Sequence, residues 1–295
     1  QNVFQSFLVT AEKPRLGLLA TVGAGVTNMA LDAWFIAGLG WGVKGAALAT
    51  GISQTVGGIL PLIYFLRPNS SLLKITRTKL EGRPVFLAVT NGSSELMSNI
   101  SASVVSMIYN FQLMKFAGED GVAAYGVLMY VQFVFIALFI GYAIGSAPII
   151  GYHYGAINHS ELKNMLKKSI IIMSISGVIM TLLAQALALP IAKVFVGYDE
   201  GLFDMTVHAF RVFSFSFILA GINIFASSFF TALNNGAVSA AISFLRTLIF
   251  QSTAVIVLPM IWELDGIWLS ITVAEVFALI ISVTFLAAKK KKYNY

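Results

Sequence analysis

The chain has 295 residues, 58% of them hydrophobic and only 11% charged, with a formal net charge of +6. Soluble domains carry about 25% charged residues, so this composition excludes a water-soluble globular domain. With no cysteine in the sequence, disulfide and thiolate chemistry are excluded as well.

A bilayer-spanning helix takes roughly 20 apolar residues. Eight stretches meet that length, at about 16–37, 45–66, 84–111, 122–149, 169–189, 205–230, 238–260 and 266–288. The third and fourth exceed the bilayer thickness and imply tilt or a kink. No run of strict alternation suggests a transmembrane barrel. The expected fold class is therefore an all-α integral membrane protein with eight transmembrane helices. The chain opens on Gln1-Asn2-Val3-Phe4, already apolar and without an initiator Met, which suggests a longer protein upstream.

The first span holds Asn28 and Asp32, one helical turn apart and on one face. A carboxylate near the centre of a membrane helix costs at least ~2.5–3.5 kcal/mol on insertion scales and is retained for function. Together, a carboxylate and an amide oxygen offer hard ligands to Na⁺; the same carboxylate can instead take a proton. The stretch Gly42-Val43-Lys44-Gly45-Ala46-Ala47-Leu48-Ala49-Thr50 enters the second span. After it comes the longest basic loop, 67–83, with Arg67-Pro68-Asn69-Ser70-Ser71 at one end and Arg83-Pro84 at the other, turn residues that mark a boundary. Residues 72–80 of that loop have the composition of a short amphipathic helix lying on the membrane surface.

In the third span Glu95 lies eleven residues past Pro84, about 16 Å of helix and close to the midplane. Asn91, Ser94, Ser98 and Asn99 surround it in one polar stripe. Further on, Met107, Tyr109, Phe111, Tyr130, Phe133, Phe135, Phe139 and Tyr142 are candidates for lining a cavity, since aromatic faces attract organic cations and Met surfaces adapt to varied ligands. Packing or lipid contact is the simpler reading of any one of them. The stretch Gly141-Tyr142-Ala143-Ile144-Gly145-Ser146-Ala147-Pro148 lacks the Lys-Ser/Thr signature of a phosphate loop and reads as a packing or bending site. His153 and His159 read as loop residues, and His208 forms no helical metal pair with either. The sixth span offers Asn223 and Ser227 but no acid. Arg246 lies about nine residues from the cytoplasmic end of the seventh span, and Glu275 about nine residues from the outer end of the eighth. Counted in this way the two differ in depth, and both read as structural charges tying the last two helices together.

The charge distribution supplies an orientation. With the C-terminus in the cytoplasm, Lys13, Arg15, Arg67, Lys74, Arg77, Lys79, Arg83, Lys163, Lys167, Lys168 and the lysines at 289–292 all fall inside, whereas only Lys44, Lys115, Lys193 and Arg211 fall outside. This is the positive-inside pattern, and it accounts for the net charge without nucleic acid. The last two spans also echo the first two: Asp265-Gly266-Ile267-Trp268-Leu269-Ser270-Ile271-Thr272 repeats the outer turn, Gly and small residues of 42–50, in the same orientation, as a parallel repeat would.

These segments carry a family resemblance. Phe7-Leu8-Val9-Thr10-Ala11-Glu12-Lys13-Pro14, Asn28-Met29-Ala30-Leu31-Asp32-Ala33-Trp34-Phe35-Ile36 and 42–53 resemble the MATE (multidrug and toxic compound extrusion) family from the end of helix four through helix six. The remainder, with Gly266-Ile267-Trp268 and Ala274-Glu275, is similar to helices seven to twelve. The resemblance implies a twelve-helix, two-lobe fold of which this chain supplies helices 5–12. Residues 1–66 would be the remnant of the N-terminal lobe, 67–83 the cytoplasmic linker, 84–288 the C-terminal six-helix lobe and 289–295 a basic tail.

By the same resemblance Asp32 and Asn28 match the amino-lobe cation site and Thr50 a further member of it. The family's helix-one carboxylate is not in this sequence. Glu95 matches a cavity-lining, cation-attracting position, while its usual helix-ten companion acid is absent. Asn91, Asn99, Tyr109, Tyr130 and Asn223 become candidate substrate contacts. The implied activity is efflux of organic, often cationic, compounds in exchange for H⁺ or Na⁺, by a monomer in a bacterial or archaeal cytoplasmic membrane. No cofactor is implied, and no metal beyond Na⁺ at Asp32 and Asn28. A lipid-linked oligosaccharide flippase is the alternative, but it would want several intramembrane cations where only Arg246 is present. A membrane-embedded enzyme would need a catalytic cluster of His, Asp or Ser, and the sequence displays none.

Overall fold

The computed structural model describes residues 1–69, 71, 73 and 81–295, apart from the side chains of Asn2 and Ser94. The amphipathic helix expected over 72–80 lies, but for Leu73, outside the described residues. All the regular structure described is helical. The chain divides into two compact units, Gln1–Glu81 and Gly82–Tyr295.

The first unit comprises α1 (Asn2–Thr10), α2 (Pro14–Asp32), a π-helical segment (Ala33–Gly38) and α3 (Gly42–Leu66). Pro14 starts α2 where a missing N–H costs nothing. The reversal between α2 and α3 uses Gly40 and Gly42, with φ of 67° and 53°, a region that residues with a Cβ enter at a cost. Phe35 fills the corner, stacked on Trp34 and Trp41 at centroid distances of 5.4 and 5.2 Å. Gly45 lies so close below it that an added Cβ would meet Phe35 Cβ at 2.9 Å.

The second unit comprises α4 (Gly82–Gly155), α5 (His159–Val196), α6 (Glu200–Ser214), α7 (Phe217–Ala232), α8 (Gly236–Phe244), a second π-helical segment (Leu245–Gln251), α9 (Ser252–Val257) and α10 (Pro259–Tyr293). As a straight rod the 74 residues of α4 would reach about 110 Å, far beyond a hydrocarbon core of about 30 Å. Gly118, at φ 63° and ψ −150°, breaks the rod. Tyr109 and Tyr125, on either side of it, stack with centroids 5.0 Å apart, so the chain doubles back there. Another reversal, at Trp262 and Glu263 (φ 47°), brings Gly266 against the Leu258 carbonyl so tightly that there is no room for a Cβ.

Among the described residues six helices are long and apolar enough to cross a bilayer, or seven if α6 and α7, bent by 49° at their junction, make one span. Hydropathy along the sequence predicts eight, because 84–149 divides in two and 205–230 counts as one span. Only 22% of the most apolar window of α5 is buried in the protein. Its exposed Ile175, Val178 and Leu182 are what a helix presents to lipid rather than water. The helix break before α7 frees backbone carbonyls, which in a membrane must be satisfied internally. Side chains of α5 do so: Gln185 Nε2 donates to Arg211 O at 2.8 Å, and Thr181 Oγ1 to Ser214 O at 3.2 Å.

Close approach there depends on Gly177, where a Cβ would meet the carbonyls of Phe217 and Ile218 at 2.8 Å. Gly177→Ala is therefore expected to destabilise the fold by about 1–3 kcal/mol through overpacking. A thermal melt in detergent checks this, and an unchanged midpoint would contradict the packing described. Hydroxyls join α7 to α8: Ser227 Oγ lies 2.8 Å from both Ser239 Oγ and Ser243 Oγ, and Thr231 Oγ1 2.7 Å from Ser239 Oγ, the small polar contacts by which membrane helices associate. The tail expected beyond the lysines is docked rather than free: Tyr293 accepts a hydrogen bond from Asn235 Nδ2 at 2.8 Å, and Tyr295 donates to Leu286 O at 2.9 Å.

Candidate functional site

Asp32 ends α2 and leads directly into the π-helical segment. Such wide turns loosen the regular i→i+4 ladder and recur at functional positions. Asp32 is half-buried, yet its Oδ1 is fully covered and has no hydrogen-bond partner among the described residues; the same holds for Asn28 Nδ2, one turn earlier. An acceptor and a donor, both desolvated and both unsatisfied, therefore lie on one helix face. A buried unsatisfied group costs about 1–3 kcal/mol, more when charged. That deficit is removed by a proton on the carboxylate or by a hard cation. For a cation, the Asn28 amide would turn its oxygen inward.

Thr50 lies about 12 Å into α3 from Gly42, and Asp32 about 10 Å before Leu39, so the α2–α3 hairpin sets them at similar depth. The Thr50 hydroxyl donates to Ala46 O at 2.9 Å, which leaves its oxygen lone pairs available. Among the described residues no group of three His, Cys, Asp or Glu is arranged to hold a metal ion.

In the second unit Glu95 is exposed, and its carboxylate forms no ion pair or hydrogen bond with the described residues. It begins a line of exposed side chains at four-residue spacing along α4: Glu95, Asn99, Ser103, Met107 and Phe111. Asn99 Nδ2 donates to the Glu95 carbonyl at 2.8 Å, and Ser103 Oγ to the Asn99 carbonyl at 3.2 Å. Each four-residue step turns about 40° around a helix, so Glu95, Asn99 and Ser103 share one face, where a carboxylate, an amide and a hydroxyl suit a cation, while Met107 and Phe111 lie progressively further round α4. Ser103 was not singled out from the sequence, although the four-residue spacing identifies it.

The remaining sequence candidates separate by burial. Tyr130 is 70% exposed and stacks near Phe195 at 6.4 Å. Tyr109, by contrast, is 2% exposed and sealed against Tyr125. Asn91 bridges helices, its Nδ2 donating to Thr231 O at 3.1 Å, with Gly236 packed against its backbone. Asn223 is fully buried: its amide nitrogen donates to Glu275 Oε2 at 2.7 Å and to the Glu275 carbonyl at 3.0 Å, and its oxygen accepts from Ser282 Oγ at 3.0 Å. Ser94 lies outside the described side chains.

Arg246 and Glu275 pair directly. Arg246 Nη2 donates to Glu275 Oε1 at 2.6 Å, and Arg246 Nε to Oε1 and Oε2 at 2.9 and 3.1 Å. The difference in depth expected from the sequence is too small to separate them. Nine residues from opposite faces place both within a few ångströms of the middle of a ~30 Å core, inside the reach of an arginine. Arg246 also lies in the second π-helical segment, a shift that residue counting overlooks. With side-chain exposures of 20% and 5%, the pair is desolvated, bidentate and completed by Asn223, the condition under which a buried ion pair holds.

The MatE family model matches residues 96–256. The chain is 28% identical over 293 residues to the Multidrug export protein MepA of Staphylococcus haemolyticus, covering 92% of this chain and 60% of that protein. With the same protein of Staphylococcus saprophyticus it shares 24% identity over 274 residues, covering 90% of this chain and 57% of that protein. The chain thus spans under two thirds of the length of these curated relatives. The crystal structure of a MATE in complex with MaL6 superposes with a TM-score of 0.93 at 22% identity, covering 99% of this chain and 66% of that one, which shows a shared fold.

Proposed function

The chain belongs to the MatE family, and from that premise we propose that it acts as a multidrug antiporter, exporting organic, often cationic, compounds against H⁺ or Na⁺ by alternating access. The observation that carries the reading is the covered, unpartnered carboxylate oxygen of Asp32 in a membrane-spanning helix. A bound H⁺ or Na⁺ neutralises that charge and so favours the conformation in which it stays buried; without the ion, the conformation that wets it is favoured. Coupling requires just this difference in ion affinity between two states. Asn28 and Thr50 supply neighbouring polar groups, and the Glu95 line on α4 receives the organic cation. The name of the staphylococcal relatives, multidrug export protein, agrees with this.

Eight membrane crossings follow if α6 and α7 make one bent span and α4 is counted as two helices meeting at Gly118, a division supported by the Tyr109–Tyr125 stack. The basic loops and the C-terminal lysines then face the cytoplasm of a bacterial or archaeal cell, with the protein acting as a monomer. A lipid-linked oligosaccharide flippase would want free intramembrane cations, whereas Arg246 is neutralised by Glu275.

Reconstitution into proteoliposomes with an imposed Na⁺ or pH gradient tests the proposal. A fluorescent organic cation is expected to accumulate against its gradient in response to one of the two ions; transport indifferent to both would overturn it. Glu95→Gln is expected to raise the KM for a cationic dye about tenfold, as loss of one charge interaction worth about 1.4 kcal/mol would, and to leave the KM for a neutral dye unchanged. Equal effects on both dyes would remove Glu95 from cation recognition.

A further inference from the structure

Where the N-terminal end of α5 passes the C-terminal end of α10, the two helices barely touch. Each packs instead on α7. The gap between them is a slot of about 560 Å³. Lys163 and Lys167 on α5 and Lys290 on α10 stand at one end of it, with Ile170, Val283 and Leu286 along its length. The ordering is set by helix geometry. The two α5 lysines lie within about 12 Å of the start of that helix, and Lys290 within a turn of the end of α10; the apolar residues lie one to two turns deeper on both.

Among the described residues lining the slot there is no carboxylate side chain. Tyr295 closes one side with its hydroxyl on the Leu286 carbonyl and its ring 5.2 Å from Phe229. Burial, together with the neighbouring Tyr293, pushes the Tyr295 phenol up to about 12, so the phenol stays neutral. Lateral access is open, since Ile171 and Val283 are 47% and 53% exposed.

A cationic mouth above an apolar channel has the polarity of one molecule available in any membrane. We propose that this slot binds an anionic phospholipid, its phosphate held among Lys163, Lys167 and Lys290 and one acyl chain filling the gap between α5 and α10. Free phosphate would leave the apolar walls uncovered, and an organic cation would be repelled by three ammonium groups. Basic pockets between membrane helices near the cytoplasmic face recognise anionic headgroups by this chemistry. The site is independent of the transport reading: it concerns α5 and α10, not Asp32 or the Glu95 line.

The test is native mass spectrometry of protein released from nanodiscs of phosphatidylcholine containing phosphatidylglycerol. Wild type is expected to retain phosphatidylglycerol in preference to phosphatidylcholine. The triple variant Lys163→Gln/Lys167→Gln/Lys290→Gln should lose that preference roughly tenfold or more, given the pull of each near-surface lysine on an anionic lipid. The corresponding triple Lys→Arg variant should keep it, and so should Lys168→Gln, whose lysine lies outside the slot. Equal retention of the two lipids by wild type, an unchanged preference in the Gln variant, or an equal loss in Lys168→Gln would overturn the proposal. Full displacement by millimolar inorganic phosphate would also overturn it, reducing the slot to a phosphate site. If the Gln variant fails to fold, raised salt on wild type gives the same discrimination, since a phosphate held by exposed lysines weakens as charges are screened.

Discussion

Asp32→Asn is expected to abolish ion-driven efflux while leaving the protein folded. The carboxylate is the only part of the α2 polar face that changes charge on binding H⁺ or Na⁺. A carboxylate near the centre of a membrane helix costs at least ~2.5–3.5 kcal/mol, and a difference of that order between ion-bound and ion-free states is about a hundredfold bias at 1.4 kcal/mol per factor of ten. An amide of the same shape removes that bias. Efflux driven by an imposed gradient should fall about a hundredfold, and the melting temperature should stay level or rise, since a buried unsatisfied charge has been removed. Asp32→Glu should retain part of the activity. If efflux in Asp32→Asn equals that of wild type, the coupling ion binds elsewhere.

The second large effect falls on stability. Removing one partner of a buried pair strands the other and costs about 3–5 kcal/mol. The two halves of the Arg246–Glu275 pair should not respond alike. In Arg246→Met the stranded carboxyl group can take up a proton and neutralise itself. In Glu275→Gln the guanidinium, which does not deprotonate in proteins, stays charged in the membrane interior. Glu275→Gln should therefore be the more destabilising single change. The double variant Arg246→Met/Glu275→Gln should recover much of the loss, a coupling that a double-mutant cycle reads directly. Additive losses would mean that the two residues act independently, against the bidentate geometry between them.

What sequence could and could not reveal follows from the kind of signal involved. Apolar length is additive along the chain, so α2, α3 and α5 are readable from hydropathy alone. Polar residues within those lengths are conspicuous for the same reason, which is how Asp32, Glu95, Arg246 and Glu275 come to notice. Partnership is a different matter. Arg246 and Glu275 are separated by a chain reversal and a π-helical shift, and counting residues from opposite membrane faces disguises their common depth. Aromatic residues pose a similar ambiguity. Tyr109 and Tyr130 belong to the same aromatic-rich stretch, yet one is sealed in the core and the other lies on the surface, because the reversal at Gly118 buries one face of each half of α4. The lipid slot was not legible at all: Lys163, Lys167 and Lys290 read as members of a general basic surplus, and only the packing of α5 and α10 on α7 opens a gap beneath them.

Coupling at Asp32 is the central claim, and ion release on substrate binding tests it most directly. Purified protein in weakly buffered detergent solution is mixed with an organic cation while a pH dye or a Na⁺-selective probe follows the medium. Wild type is predicted to release H⁺ or Na⁺ as the substrate binds, and Asp32→Asn to bind the substrate with no release of either ion. Equal release from the two proteins would contradict the assignment of the coupling site to Asp32.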